Sequence, residues 1–115
     1  DLWMSIIISH HNSISQDYSK NDTIYKFVRP KLIQAIKWGQ MSPYEFALID
    51  DWQKAVISGR LETGYSILRP PDQSTKAQTN DLRQKIGLRT IALRNKLVAV
   101  EKSTGMNFYL PDLWY

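Results

Sequence analysis

The stretch from residue 74 to residue 104 constrains this chain more than any other. Apolar residues recur there at helical spacing, Asp72 or Ser74 supplies a cap and Gly105 a stop, so the spacing predicts one long helix over 74–104. Placed on a wheel of about 100° per residue, Leu82, Ile86, Leu93, Leu97 and Val100 form one apolar stripe. Leu88, Ile91, Val98 and Ala99 form a second on nearly the opposite side. A helix apolar on two sides must bury both. The first stripe suits packing against a helix hairpin; the second calls for the N-terminal arm, the C-terminal tail or another protein chain. Gly87 lies inside this stretch, where glycine costs about 1 kcal/mol relative to alanine, and it reads as a point of close approach by another backbone.

The hairpin lies upstream, over residues 22–58. Asp22 or Asn21 can cap a first helix whose stripe is Ile24, Phe27, Val28, Leu32, Ala35 and Ile36, with Gly39 as its stop. Pro30 interrupts it, and an interior proline costs about 3 kcal/mol, so the expectation is a kink there or a helix that begins there. Ser42-Pro43-Tyr44-Glu45 then reads as a capping box with proline at the first helical position. The second helix runs to Ser58 and stops at Gly59, with Tyr44, Leu48, Ile49, Trp52, Ala55 and Val56 on one face. Asp50 and Lys54 are spaced as an outward i,i+4 ion pair. The connection between the helices is short, which favours antiparallel packing.

Together these features predict a mainly α single domain, a helix hairpin packed on a long C-terminal helix. Residues 1–21 read as an extended arm and loop, 59–73 as a linker and 105–115 as an aromatic tail. Tyr65-Ser66-Ile67-Leu68 could pair with residues 4–8 in a minor two-stranded β element.

A length of 115 residues suits one domain with a core of its own. The absence of cysteine excludes disulfides, thiolate metal sites and cysteine nucleophiles, and leaves the compartment open. The longest apolar run, Leu2 to Ile8, is too short to span a bilayer or to act as a signal core, and the start at Asp1 reads as a trimmed end.

Candidate chemistry is sparse. His10 and His11 are adjacent, so their rings diverge in helix and strand alike, and no third ligand accompanies them. Asp51 sits at the edge of an apolar face and is the acid expected to be partly buried. No phosphate loop, dinucleotide fingerprint, nucleophile elbow or zinc-protease motif occurs, and no cofactor is expected.

The charge is more informative. The chain carries a net +4, yet seven basic and two acidic residues between Lys76 and Lys102 put +5 on that stretch and −1 on the rest. On the continuous wheel these cations divide between two strips, Lys85, Arg89 and Lys96 on one, Lys76, Arg83 and Arg94 on the other.

The leading reading is a non-enzymatic interaction or assembly module that meets a protein partner or a second copy of itself. It would do so through Leu88, Ile91 and Val98 and the tail residues Phe108, Tyr109 and Trp114. The alternative is nucleic-acid binding through Arg83, Lys85, Arg89, Arg94 and Lys96. A small hydrolase using Asp51 or the histidine pair comes third.

Overall fold

The computed structural model describes residues 24–59, 61–110, 112 and 114. The expected N-terminal arm, its strand and the histidine pair lie outside the described residues. Four helices are described: α1 (Ile24–Lys37), α2 (Pro43–Ile57), α3 (Lys76–Lys85) and α4 (Ile91–Thr104). The protein is mainly α, with no strand among the described residues.

Helix α1 continues through Pro30, so the proline is absorbed within the helix rather than starting it. Gly39, at φ +70°, closes α1: its amide donates to the Ile36 carbonyl and that of Gln40 to the Ala35 carbonyl, at 3.0 and 2.8 Å. Ser42 caps α2 as expected, except that its hydroxyl accepts from the Tyr44 amide, at 3.2 Å, one residue earlier than a capping box requires. Pro43 occupies the first helical position, where its missing donor is not needed.

Helix α2 is the centre of the molecule, a place the sequence spacing assigns to the C-terminal helix. Phe46, Ala47, Ile49, Asp51, Gln53, Ala55 and Val56 are all buried, on several sides of the helix. Leu48, expected on the packed face, is instead exposed. A single-face reading fails because α2 has neighbours in more than one direction. Tyr25 and Leu32 of α1, Tyr65 and Ile67 of the linker, and Leu88 share one cluster with its Phe46, Ala47 and Ile49. Phe46 meets Tyr65 edge to face, ring centroids 6.0 Å apart. Asp50 also turns inward. Rather than pairing with Lys54, it accepts from the Tyr25 hydroxyl at 2.7 Å and from Arg29 Nε at 2.8 Å.

The long helix is two helices. The amide of Leu88 donates to the Arg83 carbonyl at 2.8 Å and that of Gly87 to the Gln84 carbonyl at 3.2 Å, with Gly87 at φ +87°. This paired bonding is the Schellman stop, which needs a left-handed residue where glycine carries no Cβ penalty. A new helix starts at once. Thr90 Oγ1 accepts from the Leu93 amide at 3.3 Å, and Asn80 Oδ1 reaches across from α3 to accept from the Ile91 amide at 2.9 Å. The expected close backbone approach at Gly87 is overturned, since a Cβ placed there meets nothing within 4 Å. Conformation, not crowding, requires the glycine.

The break also dissolves the two-stripe wheel, because helical phase does not carry through a stop and restart. Leu88, Ile91 and Val98 are buried within the chain, at 4, 2 and 7% exposure, while Leu93 and Val100 of the supposed packing stripe are 48 and 42% exposed.

The linker forms no strand over residues 65–68. Ser66 sits at φ +55°, which is incompatible with extended pairing. Side chains take over its backbone groups.

Candidate nucleic-acid interface

Helices α3 and α4 follow one another across a short turn and are tied by the hydrogen bond from the Ile91 amide to Asn80 Oδ1. Ile86 ends the first, Thr90 starts the second, and only Gly87, Leu88 and Arg89 lie between these caps. Leu88, Leu82 and Ile86 join these helices to the core cluster, and a buried ionic clasp built from residues far apart in the chain adds to that hold.

Arg83 of α3 is fully buried. Its Nε donates to the Tyr65 carbonyl at 2.7 Å, Nη1 to the Arg89 carbonyl at 3.1 Å, and Nη2 to the Ser66 carbonyl at 3.2 Å and Asp112 Oδ1 at 2.5 Å. Arg94 of α4, 1% exposed, lies 3.6 Å from Asp112 Oδ2 through Nε. Its guanidinium stacks on the Trp114 ring, 3.5 Å from the centroid, and donates to the Trp114 carbonyl. Trp114 Nε1 in turn donates to the Ser66 carbonyl at 2.7 Å.

The same linker segment is gripped from its other side by Asp51 of α2. Asp51 Oδ1 and Oδ2 accept from the amides of Tyr65 and Ile67, each at 2.7 Å. An acid thus satisfies the buried amides of this segment, and Arg83 and Trp114 satisfy its carbonyls, which lets an irregular strip of backbone lie inside the core. Burial raises the Asp51 carboxyl to about 6, with the two amide bonds opposing the rise. Burial and the nearby Asp50 carboxylate also push the Tyr25 and Tyr65 hydroxyls above their ordinary range.

This geometry sorts the predicted residues. Arg83 and Arg94 are structural: both heads are sealed inside the protein, so neither reaches a nucleic acid. Lys85, Arg89 and Lys96 remain at or near the surface. Lys85 pairs with Asp81 at 3.1 Å in a solvent-exposed i,i+4 bridge, and Arg89 stacks over Tyr44, 5.3 Å from its centroid. Lys96 is exposed at the middle of the outward face of α4, with Ala92, Leu93 and Asn95 exposed near it.

Of the residues assigned to a protein partner, Leu88, Ile91 and Val98 are not surface. Trp114 is engaged by its own domain, and Phe108 is half-buried, its amide donating to Glu101 Oε2 at 2.8 Å. Tyr109 is 83% exposed.

Asp51 is buried as expected, but both its oxygens are bound to backbone amides, so it faces no cleft in which to act as acid or base. Among the described residues no group of three or more His, Cys, Asp or Glu side chains could hold a metal ion. No helix of the described residues is long and apolar enough to cross a membrane. A shallow cleft of about 230 Å³ lies between the linker and α3. Lys54, Glu62, Arg69 and Asp72 line it, a mixture of signs that selects no one ligand.

Asp112 is the participant that sequence reasoning missed. Its one signal is an acid set among Leu110, Leu113 and Trp114, where an apolar tail would have no use for a charge without a buried partner. The restart of α4 had a signal too, Gly87 followed three residues later by Thr90. Neither a protein-family model, nor a curated protein, nor a solved structure matches this chain.

Proposed function

We propose that the domain binds duplex nucleic acid through α3, the glycine turn and α4, with α4 as the helix that enters the groove. The observation that carries this reading is the two-helix unit itself, with three residues between caps and a glycine at the turn. That turn length and its glycine match the connection of a helix-turn-helix, whose second helix reads the major groove. The first part of α4 exposes Ala92 and Leu93, suited to the thymine methyl, while Asn95 Oδ1 accepts from Arg94 Nη1 at 3.0 Å and leaves its amide group to donate. Arg89, beside the turn, and Lys96, in place of a base contact, supply the phosphate contacts. The clasp would hold α3 and α4 in one fixed relation, as groove reading requires.

The test is fluorescence anisotropy with a pooled duplex of random sequence at several salt concentrations. Binding is expected to weaken with salt at a logarithmic slope of roughly −2, and Lys96→Gln is expected to reduce that slope by about 0.9. No binding at low salt, or an unchanged slope in the variant, removes the proposal.

One observation supports a second reading, a protein-docking surface. Leu93, Val100, Met106 and Tyr109 are 48, 42, 60 and 83% exposed along α4 and the segment after it. A second copy or another protein would bury them. On this reading sedimentation shows an oligomer that Val100→Asp dissociates, and a monomer at every concentration tested argues against self-association.

A further inference from the structure

The outer face of α1 is used by neither reading. Helix α1 carries four basic residues and no acid, and Arg29 is turned inward to Asp50. Lys26, Lys31 and Lys37 are left exposed. Two aromatic side chains share that side, Phe27 on the helix at 70% exposure and Trp38, one residue past its end with its amide still donating to the Gln34 carbonyl, at 67%. Phe27, Lys31, Gln34 and Trp38 follow one another at helical spacing and make a single strip, flanked by Lys26 and Lys37. The two rings lie eleven residues apart, about 16 Å along the axis. Lys31 Nζ sits over one of them, 5.0 Å from the Phe27 centroid.

These rings are not displaced core residues. The apolar side of α1 is already spent on the interior, with Tyr25 and Leu32 buried and Val28, Ile33 and Ile36 packed against the same cluster. Solvent-exposed rings set among charges of one sign match a polyanion that also presents flat apolar groups. A single-stranded nucleic acid has that chemistry, since its bases stack on aromatic faces while its phosphates meet lysines. An anionic bilayer offers the charge but demands a continuous apolar face, and on α1 that face is turned inward.

We propose that the outer face of α1 is a binding platform for single-stranded nucleic acid, with Phe27 and Trp38 as stacking surfaces and Lys26, Lys31 and Lys37 as phosphate contacts. The platform is separate from α4 and does not depend on duplex binding there.

The experiment measures binding of the full chain to a fluorescent twelve-nucleotide oligothymidine, to a hairpin duplex and to phosphatidylserine vesicles. Phe27→Ala and Trp38→Ala are each expected to weaken oligothymidine binding roughly 5- to 100-fold. Lys31→Gln is expected to lower the salt slope by about 0.7. Duplex binding stays as in the parent, and all three variants keep its circular dichroism and melting profile. Unchanged oligothymidine affinity in the folded variants overturns the platform. So does an equal loss on the duplex, or binding to vesicles but not to oligothymidine. Because Lys96→Gln reports on α4 and these variants on α1, either surface can fail without the other.

Discussion

Asp112→Ala lowers the free energy of unfolding by about 3–5 kcal/mol, the expected loss when one partner of a buried ion pair is removed. Two fully buried guanidinium groups converge on this one carboxylate, and arginine cannot shed its proton to escape. Truncation therefore leaves charge inside the protein without its counterion. Asp112→Asn keeps the shape and an acceptor for Arg83 but not the charge, so it should fall most of the way toward the alanine variant. Replacing all three charges, Arg83→Met and Arg94→Met with Asp112→Leu, should be milder than Asp112→Ala alone, because no buried charge is left without its counterion. Urea denaturation midpoints read all three, with the slope unchanged if compactness is unchanged. A loss under about 1 kcal/mol in the alanine variant would mean that the clasp is hydrated and contributes only what surface pairs do.

The second large effect belongs to Asp51 and depends on pH. Asp51→Ala strands the amides of Tyr65 and Ile67 inside the core, at about 1–3 kcal/mol for each unsatisfied group. In the parent protein the carboxyl is raised from 3.8 to about 6 by burial. The native state thus holds this proton more tightly than the unfolded chain does. The protein is then most favoured below the unfolded value, and it loses about 3 kcal/mol of stability as pH rises from near 4 through 6, with no further change above. Asp51→Asn cannot ionise, so it lacks this decline, although one amide loses its acceptor. Urea midpoints of the two proteins from pH 4 to 8 should differ most steeply between pH 4 and 6. Parallel profiles across that window would refute a raised Asp51.

What was legible in the sequence was what neighbours in the chain decide. Ser42-Pro43 starts α2, Gly39 ends α1, and the apolar edge around Asp51 marks its burial; each signal lies within one or two helical turns. The break at Gly87 is equally local, but the apolar periodicity runs across it and masks a stop that resets the helical phase. The fate of the arginines was not legible at all. Arg83 and Lys85 are two residues apart on one short helix, yet one is sealed in the core and the other is in water. The difference is made by Asp112, twenty-nine positions from Arg83. Helical spacing holds no information about that. For the same reason Arg83 and Arg94 read from spacing as free cations, although both face Asp112.

The clasp has a consequence for the order of folding. Helices α1 and α2 meet through a short connection, and loop closure of that length is fast. Arg83–Asp112 and Ser66–Trp114 instead close spans of 29 and 48 residues, so these contacts belong after the main barrier rather than before it. Interactions formed late slow unfolding more than they speed folding. The buried arginines and their carboxylate therefore act as a latch on the lifetime of the native state, and the Asp112→Ala loss should appear in the unfolding arm of a chevron plot.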